Sequence, residues 1–221
     1  MSRLGNFALN GATAVVTVAA LALAGVRIKE FARPTTATDS QLRSVEKWQH
    51  YGQAGHRVGA TQPRVLIVEF TDFKCRFCRA AAAALDSLVA RYPSDVAVVY
   101  RHFPGSNPAA RPAAIAAECA AKEHRYKPFH DALFAQAESI GVKSWSGFAE
   151  AAGVRDTIAL ATCIKGDMTA GRLAADRQAG ADLEVLGTPT FLINDVVVEG
   201  FPGLRVLVEH VREQIAIANK Q

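Results

Sequence analysis

Apolar residues fall into distinct patterns along this chain, and each predicts a different element. Leu4–Val26 carries no charged side chain, and Ala14–Val26 is almost wholly aliphatic. As a helix this run would reach about 34 Å, enough to cross a hydrocarbon core of roughly 30 Å. Two shorter runs, Val65–Phe70 and Asp95–Phe103, are rich in β-branched residues and too short for helices, which predicts strands buried on both faces. Residues 75–91 have helical spacing, with Ala80–Ala84 contributing the highest helix propensity. Phe77, Ala81, Ala84, Leu85 and Leu88 are predicted to share one face, and Tyr92-Pro93 ends the helix. Strand, helix and strand in that order predict a parallel βαβ unit.

From Pro104 to about Asp182 the pattern is helical, over Ala109–Glu123, Phe129–Ala137, Trp145–Ala152, Asp156–Ile164 and Asp167–Ala181, with breaks at Lys127-Pro128, Gly141, Gly153 and Gly166. Strand character returns at Thr190–Asn194 and Val196–Glu199, joined by a tight Asn194-Asp195 turn. An amphipathic helix over Leu204–Ala218, with Val208, Val211 and Ile215 on one side, completes the pattern. Ahead of the core, residues 32–40 read as a Pro-broken linker, Gln41–His50 as a short helix carrying Trp48, and Arg57–Gly59 as a weak strand. The order βαβ, all-helical insertion, ββα predicts an α/β fold around one central sheet, with the insertion budding off one edge. The expected division is 1–31 as membrane anchor or signal peptide, 32–62 as linker with a short helix and strand, 63–103 plus 183–218 as the sheet domain, and 104–182 as the insertion.

Charge refines this picture. The net charge is +4, but Arg3, Arg27, Lys29, Arg33 and Glu30 account for +3 of it. The near-neutral body supplies no electrostatic footprint for nucleic acid. Arg3 before the apolar run and Ala22-Leu23-Ala24 at its end fit a cleaved signal peptide, whereas the same run with Arg27, Lys29 and Arg33 outside it fits a retained anchor. Either way the rest of the chain is expected outside the cytoplasm, in the periplasm or cell envelope.

Export changes how the four cysteines are read. Cys119 and Cys163 stand alone within apolar helical patterns, where buried free thiols are common. An oxidising compartment favours a structural disulfide between them. Cys75-Arg76-Phe77-Cys78 instead sits where a strand gives way to a helix. There the free N–H groups and helix dipole favour a thiolate on Cys75, and the Arg76 charge is expected to add to the effect. Cys78, one turn on, is placed to resolve a mixed disulfide. A zinc site is disfavoured because no second short-spaced ligand pair accompanies the first. No metal and no cofactor are expected.

Phe70-x-Asp72-Phe73-x-Cys75-x-x-Cys78, followed by Gly187-Thr188-Pro189-Thr190-Phe191, resembles the DsbA-like thiol:disulfide oxidoreductases over about residues 48–217. The resemblance implies a thioredoxin-like fold with a helical insertion and a cis Pro189 facing the cysteine pair. It also implies that the Thr188 backbone pairs with an extended client, and that Glu69 acts as a proton acceptor below the inner cysteine. Arg76 and Phe77 are expected on the same client-binding surface. His102 is expected at the same sheet edge, either touching the site or serving local structure.

The function so implied is insertion of disulfides into reduced, unfolded exported proteins, with a separate redox partner regenerating the Cys75–Cys78 bond. The alternatives are an isomerase or reductase on the same fold and, from another class, a thiol-based copper-handling factor. The absence of a dimerisation domain ahead of the core argues against an isomerase, and the absence of a Met- or His-rich tract argues against copper handling.

Overall fold

A computed structural model describes residues 43–220. The expected anchor or signal peptide at 1–31, and the linker at 32–40, lie outside the described residues. Among the described residues no helix is long and apolar enough to cross a membrane.

Six strands form one sheet: β1 (Arg43–Ser44), β2 (His56–Gly59), β3 (Val65–Thr71), β4 (Val96–His102), β5 (Thr190–Ile193) and β6 (Val196–Glu199), in the spatial order β1-β6-β5-β3-β4-β2. β3 and β4 run parallel, in register from Val65 opposite Val96 to Thr71 opposite His102, and the other pairings are antiparallel. All seven residues of β3 and of β4 are buried, as unbroken apolar runs covered on both faces require. The β5–β6 hairpin turns at Asn194, which adopts a left-handed φ of 50° that Asn tolerates better than most residues.

Among the described residues there are seven α-helices: α1 (Arg76–Arg91), α2 (Ala110–Ala121), α3 (Tyr126–Ala135), α4 (Trp145–Ala152), α5 (Thr157–Lys165), α6 (Ala170–Asp182) and α7 (Leu204–Ala218). α1, α7 and the insertion helices pack in one apolar cluster with Ile67, Val98, Tyr100 and Phe191 from the sheet. The opposite side of the sheet buries Leu66, Val68, Phe70 and Val99 against Tyr51, Ala179 and Leu183. α6 therefore spans both clusters, with Leu173 in the first and Ala179 in the second. Two contacts hold it there. Arg101 Nε donates to Asp176 Oδ1 at 2.8 Å and the His102 backbone N–H donates to Asp176 Oδ2 at 2.9 Å, all inside the protein. Gly180 permits the close approach, since a Cβ at that position would lie 2.5 Å from the Phe103 ring. The insertion thus wraps from one face of the sheet to the other, where the apolar pattern alone predicted that it would bud off one edge.

Three smaller departures have local causes. The described residues of Gln41–His50 do not form one helix: Arg43–Ser44 pairs with β6 and a 3₁₀ turn carrying Trp48 forms at Trp48–Gly52. Lys127-Pro128 does not separate helices but lies in the first turn of α3, where proline's missing N–H has no intrahelical partner to lose. Phe77 is 49% exposed, because the buried face of α1 is set by Cys78, Ala81, Ala82, Leu85 and Leu88.

Candidate active site

β3 ends at Thr71, and the chain turns through Asp72-Phe73-Lys74 into α1, with Cys75 as its N-cap. Asp72 builds this turn. Its Oδ1 accepts from the Lys74 N–H at 2.7 Å, its backbone oxygen from the Cys75 N–H at 3.0 Å, and its Oδ2 from the Gly105 N–H at 2.8 Å. One carboxylate thereby ties the loop leaving β3 to the loop leaving β4. Phe73, 1% exposed, anchors the same turn among Phe134, His130 and His102, with ring centroids 5.0, 5.6 and 5.6 Å away. The sequence hinted at neither role: Asp72 and Phe73 stood out only as letters of a motif, and their partners lie on β4 and in the insertion.

Cys75 and Cys78 are free thiols in unlike surroundings. Cys75 is part-exposed and Cys78 fully buried. A hydrogen bond from the Cys78 thiol, with backbone N–H groups of Cys78 and Phe77, lowers the Cys75 pKa to about 5 against the opposing effect of its partial burial. Burial pushes the Cys78 thiol far above its ordinary range, and its bond to Cys75 and the charge of Glu69 push the same way. The outer sulfur is therefore the one already ionised at neutral pH.

Glu69, in the middle of β3, is completely buried, and neither carboxylate oxygen has a hydrogen-bond partner. Burial raises its pKa to about 8 against the opposing effect of the nearby Thr71 side chain, and the negative charges of Cys75 and Asp86 add to the rise.

Across from the cysteines, Thr188-Pro189 is a cis peptide. The Cys75 thiol donates to the Thr188 carbonyl oxygen at 3.2 Å. A shallow depression lies beside each partner of this contact. One, about 100 Å³, is lined by Phe73, Lys74, Cys75, Arg76, Ala137 and Glu138 among others. The second, about 270 Å³, is lined by Leu186–Thr190, Glu199 and Gly200. A larger depression of about 510 Å³ between α1 and α3 includes neither cysteine.

The structure brings Cys75, Cys78, Thr188 and Pro189 together, with Glu69 beneath. Phe77, expected on the client-binding surface although helical spacing aligns it with the apolar face of α1, is exposed beside them, and Leu186 next to the cis peptide is 87% exposed. Arg76 is exposed and its guanidinium lies 4.6 Å from the centre of the Phe77 ring. The groups that lower the Cys75 pKa are the Cys78 thiol and backbone N–H groups at the helix start, with the Thr188 side chain from the facing loop, and the Arg76 charge is not among them. His102 is buried at the end of β4 beside Phe73 and approaches Glu118 rather than either cysteine. Cys119 and Cys163 are disulfide-bonded, joining α2 to α5 with a Cα separation of 5.9 Å.

Residues 52–210 match the profile of the family described as Thioredoxin. Among curated proteins, the Na(+)/H(+) antiporter NhaA 3 of Salinispora tropica is 34% identical over 141 residues, covering 63% of this chain and 21% of that protein. The Na(+)/H(+) antiporter NhaA 1 of Mycolicibacterium vanbaalenii is 27% identical over 144 residues, covering 64% and 23%. The chain thus spans about a fifth of the length of these curated relatives. Among solved structures, a thioredoxin-like oxidoreductase from Silicibacter pomeroyi superposes with a TM-score of 0.62 at 29% identity, over 72% of this chain and 90% of that one. DsbA2 of Pseudomonas aeruginosa gives a TM-score of 0.60 at 28% identity over 70% and 91%. A periplasmic thioredoxin-like protein from Salmonella enterica serovar Typhimurium gives 0.63 at 24% identity over 79% and 99%.

Proposed function

The chain belongs to the thioredoxin family, with the DsbA-like form of the fold, and from that premise we propose that it is an extracytoplasmic thiol–disulfide oxidoreductase that introduces disulfides into exported proteins. The observation that carries this reading is the contrast between the two sulfurs: Cys75, at a helix N-terminus, favours the thiolate, while Cys78 is buried and stays protonated. Stabilising the reduced pair makes the corresponding disulfide a stronger oxidant.

The steps balance without a cofactor. A client thiolate attacks the exposed Cys75 sulfur of the Cys75–Cys78 disulfide, forming a mixed disulfide and expelling Cys78 as a thiolate. Glu69, mostly protonated at neutral pH with a pKa of about 8, supplies the proton that the buried Cys78 then needs. A second client thiolate attacks the client's own sulfur in the mixed disulfide and expels Cys75, a good leaving group because of its low pKa. The client gains one disulfide, and this protein holds the two electrons until a separate redox partner removes them.

Thr188 supports the client's approach. Its carbonyl accepts from the Cys75 thiol, a bond that ends when the thiol ionises or is oxidised and leaves the oxygen to accept a client backbone N–H. Phe77 and Leu186 offer apolar surface to an unfolded chain on either side.

The test is the reduction potential of the Cys75–Cys78 pair, measured by equilibration with glutathione buffers. An oxidant is expected well above the thioredoxin value of about −270 mV, toward the roughly −120 mV of a strong oxidant. A value near the former would identify a reductase instead.

A further inference from the structure

Away from the cysteines, three side chains that are distant in sequence converge: His56 from edge strand β2, His102 at the end of β4, and Glu118 from α2. Their ligating atoms all lie within 4.8 Å of one another. His56 Nε2 is 2.7 Å and His102 Nε2 is 3.2 Å from the same Glu118 oxygen, Oε1.

The two imidazoles are not equivalent. His56 makes a hydrogen bond with Glu118, and its ring is held flat against Tyr126 at a centroid distance of 3.6 Å. His102 is completely buried, and neither of its ring nitrogens has a hydrogen-bond partner. Its 3.2 Å approach to Oε1 therefore lacks hydrogen-bond geometry, so the nitrogen is aimed beside the oxygen rather than at it. Buried polar nitrogens rarely go unpaired without a reason. A ligand of a shared ion has this relation to its neighbour, which His102 shows; His56 now points at Glu118 and would turn from it to bind an ion.

We infer that His56, His102 and Glu118 form a site for one zinc-like divalent ion. Two imidazoles and one carboxylate make a zinc donor set with a fourth position left over, and the nitrogen ligands disfavour calcium and magnesium, which take oxygen. Ligands bound at roughly 2.0–2.2 Å in tetrahedral geometry stand about 3.4 Å apart. The His102–Glu118 spacing is close to this, and the His56–Glu118 spacing must open by about 0.7 Å. His56 can move that far without disturbing the core, because its side chain is 21% exposed on an edge strand, and the same exposure is the route of entry. One cation competes for the carboxylate: Arg172 Nε lies 3.9 Å from Glu118 Oε1, and no hydrogen bond holds that nitrogen in place. A bound ion would fasten the helical insertion to two strands of the sheet. This inference does not depend on the direction of thiol exchange.

The test uses the protein with both cysteine pairs oxidised, so that no thiolate binds metal, after stripping with a chelator. Zinc chloride is titrated in competition with a chromogenic chelator. One equivalent of zinc is expected, with a dissociation constant in the micromolar range or tighter and an upward shift of the thermal midpoint. Loss of a partner that merely orients a zinc ligand costs 10–100-fold in affinity. His56→Ala and Glu118→Gln, which remove ligands themselves, should each weaken binding by about 10-fold or more. Arg172→Gln should tighten it. Cobalt(II) in place of zinc should give the visible absorption of a four-coordinate site, lost in His56→Ala. His56 is accessible at the surface, so its variant is expected to fold, which circular dichroism would check. No zinc uptake by the native chain would overturn the inference, as would uptake unchanged in both ligand variants.

Discussion

The Cys75 thiol donates to the Thr188 carbonyl oxygen at 3.2 Å across 113 residues of chain, joining the start of α1 to the loop that enters β5. The contact needs a proton on sulfur, so it favours the thiol, whereas the Cys78 hydrogen bond, the Thr188 side chain and the helix N–H groups favour the thiolate. The donors outweigh it, and Cys75 should ionise near pH 5. Its rate of alkylation in the reduced protein, followed across pH, should reach half-maximum there, with Cys78 unreactive. Cys78→Ser should accumulate mixed disulfides with reduced clients, and Cys75→Ser should not. Faster reaction at Cys78 would reverse the assignment.

Redox state and pH should couple in stability. The folded pKa of Cys75 lies below the unfolded value of about 8.5, so its contribution to the reduced fold is full above 8.5 and lost as pH falls through about 5. The oxidised protein has no Cys75 thiol to titrate. Thermal midpoints of the two forms should therefore diverge in favour of the reduced protein between pH 5 and 8. Parallel curves would show that Cys75 is not depressed.

Glu69 has the opposite sign. Its folded pKa of about 8 exceeds the unfolded value, so the fold binds the extra proton between about pH 4.5 and 8, and stability falls as pH rises through that window. At pH 7 the loss amounts to about 3 kcal/mol, at 1.36 kcal/mol per pKa unit. Glu69→Gln should flatten the slope of stability against pH in this range and slow release of Cys78 from its disulfide. An unchanged slope would mean that Glu69 ionises normally.

Asp72 accepts two backbone N–H groups through its carboxylate, one on each side of the site. Asp72→Ala leaves both without that acceptor and should destabilise the fold by about 1–3 kcal/mol. It should also shift the Cys75 pKa, because the turn sets the start of α1. Asp72→Asn, which keeps an oxygen acceptor, should recover part of both effects. Wild-type stability and thiol pKa in the alanine variant would reduce Asp72 to a bystander.

Legibility followed sequence distance. β3, α1 and β4 could be read because each is a local pattern of apolar spacing, and the cysteine pair could be read because a strand-to-helix junction is local too. Thr188-Pro189 was recognisable only through family resemblance. What escaped was long-range: α6 crossing to the far face depends on Asp176 meeting Arg101 and on Gly180 meeting Phe103. Helical periodicity aligned Phe77 with the apolar face of α1, but a helical wheel does not show that the first turn is left uncovered, and Phe77 is exposed there. His56, His102 and Glu118 had no spacing signal, since the sheet and the insertion assemble them.

The Cys119–Cys163 bridge should stabilise the fold without taking part in exchange. It closes a sequence separation of 44 residues and links the first helix of the insertion, α2, to the fourth, α5. Loop-closure entropy alone predicts about 4 kcal/mol of stabilisation. Both sulfurs are nearly buried, at 3% exposure, whereas Cys75 is part-exposed. Mild reduction should therefore open Cys75–Cys78 first and leave Cys119–Cys163 closed until the protein unfolds. Mass spectrometry of alkylated samples taken along a reductant titration would show that order. Replacing both residues with alanine should lower the thermal midpoint by many degrees, since 1 kcal/mol is worth about 2–4 °C in a chain of roughly this size. The rate of client oxidation below that midpoint should stay near wild type, because neither sulfur lines the depressions beside Cys75. If the double variant instead keeps its stability and loses its exchange rate, the bridge belongs to the redox cycle and the insertion is more than a scaffold.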